Sequence, residues 1–214
     1  MLIEKQIETL FERLKSASPE PVAPQAKTRK TAFQSLVSVM LSAQSRDAMT
    51  AKASAKLFKR AATPQAILKL ADDELRTLIK DAGLYNMKAK NIKAMCKDLL
   101  TRFDGIVPDN RQDLMSLPGV GRKSADIMLR FTFDQPYVAV DTHVFRLTSR
   151  MGLAQGKTEA QLARDLEPKI PTQYRMGAHM WLLNHGKYVC LARAPRCAAC
   201  NLSDLCMYNA KTLD

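Results

Sequence analysis

Apolar residues recur every three or four positions along most of the chain, the period of helices that bury one stripe. The first stripe is Leu2, Ile3, Ile7, Leu10, Phe11 and Leu14, an amphipathic helix that the proline-rich run from Ser18 to Pro24 ends. Phe33, Leu36, Val37, Met40 and Leu41 make a second. Thr63 followed by Pro64 pairs an N-cap with proline at the first helical position, where its missing N–H has no partner to lose. Asp72 is expected to cap a further helix that stops at Gly83. Ile92, Met95, Cys96, Leu99 and Leu100 form another stripe, which places Cys96 in a core. Asp104 to Asp109 reads as a loop, and Thr158 as the cap of a helix running to about Ile170. No period-two alternation is sustained, and Tyr137–Val140 is short enough to be a buried connector. The pattern predicts an all-α protein.

Charge narrows the function. Lys and Arg number 33 against 21 Asp and Glu, a net +12, as expected of a chain that meets polyanions. No cationic leader precedes an apolar run at the start, and no apolar stretch reaches the ~18–20 residues of a membrane span. The expectation is an intracellular chain with reduced thiols and no membrane partner. With three histidines only, His143, His179 and His185, a histidine-based metal active site is disfavoured.

Four of the five cysteines fall in the last 25 residues, spaced Cys190-x6-Cys197-x2-Cys200-x5-Cys206. Zinc sites usually pair two CxxC knuckles, or CxxC with a histidine pair, and only one CxxC occurs here. The uneven run suits a 4Fe–4S cubane, in which each thiolate binds a different iron. A zinc clip is the alternative. Two disulfides fit poorly in a chain with no mark of secretion.

The segment Leu117-Pro118-Gly119-Val120-Gly121-Arg122-Lys123 joins two apolar-patterned helices through two glycines. Glycines allow positive φ and close backbone approach, and the helix start adds partial positive charge, so the turn suits a phosphate. An ordinary interhelical turn is the bland alternative. Lys123 stands in the first turn beside Arg122, where neighbouring positive charge favours a neutral, nucleophilic amine able to form a Schiff base. Asp141 follows the apolar connector and offers a carboxylate to accept a proton or steady a developing cation, whether or not it also caps a helix.

Six segments taken together, LSAQSRDAMT (41–50), GLYNMKAKNI (83–92), LPGVGRKSA (117–125), VAVDTHVFR (138–146), NHGKYVC (184–190) and the cysteine run, resemble the endonuclease III family of the helix–hairpin–helix DNA glycosylase superfamily. They span about residues 30–206. The resemblance implies two helical lobes with the active cleft between them. Residues 25–135 would form a six-helix lobe with the hairpin, and residues 1–24 with 136–214 a lobe holding a 4Fe–4S cluster on Cys190, Cys197, Cys200 and Cys206. It implies a monomeric, cytoplasmic, nucleoid-associated enzyme acting on double-stranded DNA with damaged pyrimidines or abasic sites. Lys123 would attack C1′ and expel the base, Asp141 would support that step, and β-elimination would cut the strand 3′ to the abasic site. Gln44 and Leu84 match the residues that fill the space of the flipped base. Backbone contacts are expected from Gly119, Val120, Gly121, Arg122, Lys187, Arg193 and Arg196.

The chain departs from the family's usual pattern at Arg46, where threonine is common, and at Asp126, where asparagine is common. Arg46 bears on substrate range. Two other readings compete: a monofunctional or mismatch glycosylase of the same superfamily, which would lack a lysine at position 123, and a non-catalytic DNA-binding module, which would have no use for the Lys123–Asp141 pair. His143 and His185 read as packing or supporting residues.

Overall fold

A computed structural model describes residues 1–18 and 30–212, and these form helices, turns and coil without a strand. The proline-rich run after Ser18 lies outside the described residues. The chain divides into two compact units, Met1–Ala26 with Gln135–Asp214, and Lys27–Asp134.

The unit Lys27–Asp134 contains α2 (Ala32–Ser42), α3 (Asp47–Arg60), α4 (Pro64–Leu68), α5 (Asp72–Ile79), α6 (Tyr85–Arg102), α7 (Arg111–Ser116) and α8 (Arg122–Phe131). Counting the five-residue α4, that is seven helices among the described residues, one more than the resemblance implies. Thr63 Oγ1 accepts the Ala66 N–H at 3.2 Å, so the Thr-Pro start forms as its residue types require. The stripe on α2 is buried at Phe33, Leu36, Val37, Met40 and Leu41, and α2 packs on α3, α6 and α8. Ile92, Met95, Cys96 and Leu99 bury the facing stripe of α6. Burial pushes the Cys96 thiol up to about 12, so it remains a core thiol. Asp72 differs from expectation: Ala71 is the N-cap, and the Asp72 carboxylate pairs with Lys93 instead. The helix ends at Ile79, ahead of Gly83, which serves a close approach described below.

The other unit joins α1 (Glu4–Ala17) to α9 (Thr142–Met151), α10 (Glu159–Leu166) and α11 (Arg175–Tyr188), with α1 and α9 both packed on α11. Ile7, Leu10, Phe11 and Leu14 of α1 share one core with Val144, Leu147, Leu162, Trp181 and Leu202. Ile3 does not join them; it lies just outside the helix and is exposed. Phe11 stacks on Tyr174 at 5.6 Å, and Trp181 meets Tyr174 edge-on at 6.3 Å. Thr158 caps α10, but the helix stops at Leu166 rather than Ile170 and tightens into a 3₁₀ turn at Glu167–Lys169. Pro168 causes this: it lacks the N–H that the next α-helical turn needs and disfavours α geometry before it.

Candidate active site and cysteine-rich segment

The hairpin is a tight turn built by its residue types. Pro118 and Gly119 take the two central positions, Gly119 has φ +80°, and the Val120 N–H donates to Leu117 O at 3.1 Å. Proline then glycine in these places is the signature of a type II turn. A Cβ on Gly119 would lie 2.9 Å from Asn91 Cβ and 3.0 Å from Met40 Cε, so glycine is required twice over. Gly121 differs. It is extended, with φ −89°, it is the N-cap of α8, and a Cβ there would meet nothing within 4 Å. The backbone at the start of α8 therefore faces open space. Val120 is buried and anchors the turn.

Lys123 is the second residue of α8 and is exposed. Arg122 does not extend beside it. Its Nε lies 3.5 Å from Oδ2 of Asp126, while Oδ1 of the same carboxylate accepts from Arg111 Nε at 2.8 Å. Asp126 is 1% exposed, so two arginines converge on one buried carboxylate behind the hairpin. This accounts for the aspartate at a position where the family pattern has asparagine: it gains a charge where two cations meet.

Asp141 caps α9. Its Oδ1 accepts the N–H groups of His143 at 2.9 Å and Val144 at 2.8 Å. Neither bond uses Oδ2, so the cap orients the carboxylate and leaves one oxygen for other work. The connector before it is buried at Ala139 and Val140, and His179 Nδ1 lies 2.9 Å from Ala139 O.

Gln44 and Leu84 lie together in the unit Lys27–Asp134. Both are exposed and both are left-handed, with φ +51° and +56°. Non-glycine residues in that region are uncommon and persist only where their surroundings impose it. Arg46, at the N-cap of α3, is exposed and makes no side-chain cap bond.

Residues 189–212 contain neither helix nor strand. Arginines tie this segment to the helices: Arg146 Nε donates to Cys190 O at 3.0 Å, and Arg150 donates to Leu191 O at 2.7 Å and Ala192 O at 3.1 Å. Cys190, Cys197, Cys200 and Cys206 are unbridged and line one cavity of about 20 Å³ with Leu147 and Arg150. That exceeds the ~10–15 Å³ that one water needs, so side chains alone leave space between the sulfurs. Among the described residues no three Cys, His, Asp or Glu side chains converge on a single-ion site. A cubane, with each thiolate on its own iron, takes a wider set of sulfurs than one zinc does. His185 Nε2 lies 3.3 Å from Cys200 Sγ, and burial lowers the His185 pKa to about 4, which keeps the imidazole neutral there. Lys187, Arg193 and Arg196 are exposed, and Arg196 also reaches the cavity.

Comparison with known proteins decides the family. Residues 37–172 match the HhH-GPD superfamily base excision DNA repair protein family. Endonuclease III of Haemophilus influenzae is 44% identical over 97% of both chains, and that of Escherichia coli 42% identical over the same share. The chain belongs to the endonuclease III family. Among solved structures, a trapped covalent endonuclease III–DNA intermediate is similar at a TM-score of 0.87 and 34% identity, over 96% of each chain.

Within this endonuclease III frame, three residues escaped the sequence reading. Lys88 is buried, although lysine at a helix start reads as solvated; the available signal was its place four residues before Ile92 on the buried stripe of α6. Arg146 and Arg150 tie down the cysteine segment, and their i, i+4 spacing on α9 was the clue.

Proposed function

We propose that this protein is a base-excision DNA repair enzyme, a bifunctional DNA glycosylase and abasic-site lyase, with Lys123 as its nucleophile. The supporting observation is an exposed lysine at the second position of a helix whose preceding glycine turn opens backbone N–H groups to a phosphate, in a chain of the endonuclease III family. The substrate class is double-stranded DNA carrying oxidised pyrimidines or abasic sites.

The damaged nucleotide leaves the stack, because its sugar cannot be reached inside the duplex. Phosphates dock against the start of α8, where the helix dipole and N–H groups favour an anion. Lys123 Nζ attacks C1′. The N–C1′ bond forms as the bond to the base breaks, and the base leaves with the electron pair and a proton. Positive charge builds on the sugar as in glycoside cleavage, and the free oxygen of Asp141 steadies it. Loss of the amine's proton opens the sugar to a Schiff base. Abstraction of a C2′ proton then expels the 3′ phosphate, and hydrolysis frees Lys123. Gln44 and Leu84 fill the vacated space in the duplex, and Lys187, Arg193 and Arg196 add phosphate contacts.

The four cysteines hold a 4Fe–4S cluster, supported by their common cavity, by their uneven spacing with a single CxxC, and by membership of the endonuclease III family. When bound, the cluster supplies four iron–sulfur bonds that cross-link residues 190–206. Purified protein should carry about four irons per chain and no stoichiometric zinc.

Borohydride trapping tests the catalytic assignment. Wild-type protein should give a covalent adduct with abasic duplex DNA. Lys123→Gln should bind the same duplex yet give no adduct and release no base. An adduct at near-normal yield from that variant would mean that another amine attacks.

A further inference from the structure

Lys88 is the buried cation that the catalytic scheme leaves unused. It is 7% exposed, and burial pushes its ammonium below the ordinary lysine range. Its three protons are all used: Nζ donates to Leu41 O at 2.7 Å, Ala43 O at 2.6 Å and Ser45 Oγ at 2.9 Å. The two carbonyls belong to the C-terminal end of α2, where the helix presents unsatisfied oxygens and negative dipole charge. No carboxylate among the described residues pairs with it. For stability alone, a buried ammonium balanced only by dipoles is a poor choice beside an apolar side chain.

Its contacts show what it holds. Ala43 and Ser45 flank Gln44. Ser45 Oγ also accepts the Gly83 N–H at 2.9 Å, and Gly83 precedes Leu84. A Cβ on Gly83 would lie 2.7 Å from Gln44 O, so the two turns touch through their backbones. One ammonium and one hydroxyl thus bind two left-handed, exposed residues into one element. Neither conformation is one an L-residue chooses alone.

We infer that Lys88 is a positioning residue: with Ser45 it clamps the Gln44 and Leu84 turns into a single preformed wedge that enters the duplex at the damaged nucleotide. The inference rests on the reading of Gln44 and Leu84 as the residues that fill the duplex. Methionine at position 88 keeps the length and the burial but donates nothing. Without the clamp the two turns relax, and DNA binding must reorder them.

The test is a double-mutant cycle on binding to a duplex with a reduced abasic analogue, with undamaged duplex as control. Lys88→Met should weaken the abasic complex about tenfold, the factor that ~1.4 kcal/mol of lost preorganisation gives. Binding to undamaged duplex and its salt slope should hold. Ser45→Ala, which spares the buried lysine, should give a smaller loss of the same kind. Added to Gln44→Ala/Leu84→Ala, Lys88→Met should cost nothing further, because there is no wedge left to hold. An undiminished loss in that background, or an equal loss on undamaged DNA for both Lys88→Met and Ser45→Ala, would overturn the clamp. If Gln44→Ala/Leu84→Ala alone binds the abasic duplex like wild type, the wedge reading fails first and the clamp with it.

Discussion

In the unit Lys27–Asp134 the turns at Gln44, Leu84 and Gly119 each lie between helices, and an added Cβ would come under 3 Å from a neighbour at two places, from the Gln44 carbonyl oxygen at Gly83 and from the Asn91 side chain at Gly119. In the other unit, residues 189–212 run on without helix or strand, held by donors from Arg13, Arg146 and Arg150 to carbonyl oxygens. The first unit shapes its hairpin at Gly119 by sterics, and its Gln44 and Leu84 turns by a close backbone approach and one buried lysine of the same unit. The second holds its cysteine segment by side chains from distant helices, and it draws its core from both ends of the chain, α1 packing on α11. Sterically fixed turns should survive loss of a ligand, and a segment held by a few arginines should not.

The largest effect expected is therefore confined to one unit. With the cluster removed, or in Cys200→Ala, amides of residues 189–206 should lose protection and the unit formed by the chain ends should lose stability on the order of several kcal/mol, because the binding free energy of a metal centre is also folding free energy. Helices α2, α6 and α8 should keep their protection against hydrogen exchange. Equal loss across both units would erase the contrast.

The steric side of the comparison is sharpened within a single turn. Gly119→Ala forces a positive φ on alanine and drives its Cβ into Asn91 and Met40, so it should lower stability by ~1–3 kcal/mol. Gly121→Ala, at an extended φ with open space around it, should change stability by under ~0.5 kcal/mol. Urea unfolding midpoints of the two variants measure the difference. Alike, they would show that the turn is held by something other than sterics.

What the sequence revealed follows the same division. Apolar period placed the helices, and Thr63 and Thr158 marked two starts because a cap is chemistry local to four residues. The family motifs named Lys123 and Asp141. Partners distant in sequence stayed hidden. Its spacing to Ile92 can turn Lys88 inward, but nothing in the sequence says that it meets Leu41 and Ala43, 47 and 45 residues away. Nor does the hairpin motif say that Arg122 will pair with Asp126 rather than face outward. Asp72 misled for the same reason: cap and first-turn positions attract the same residue types, and a distant lysine decided between them.

The smallest effect concerns two carboxylates, one in each unit. Lys56 donates to Asp81 at 2.6 Å and holds its carboxyl below the usual carboxylate range. Lys169 does the same to Asp165 at 2.7 Å, where the Gln155 N–H adds a second bond. A carboxyl with a lowered folded pKa contributes stability that is complete above its ordinary value and is lost as pH falls through the lowered one. Unfolding midpoints should thus stay level from pH 7 to about 5 and fall below about pH 4, with Asp81→Asn and Asp165→Asn each flattening part of that fall. The Asp81 side chain is 15% exposed and Asp165 38%, so the Asp81 share should be the larger. At about 1 M salt, with a screening length of ~3 Å, the lysine contributions shrink, but Asp165 keeps the bond from the Gln155 N–H. If the Asp165 share were the larger at low salt, exposure would not be what ranks the two, and the weak surface pairs of the two units would be held by different physics after all.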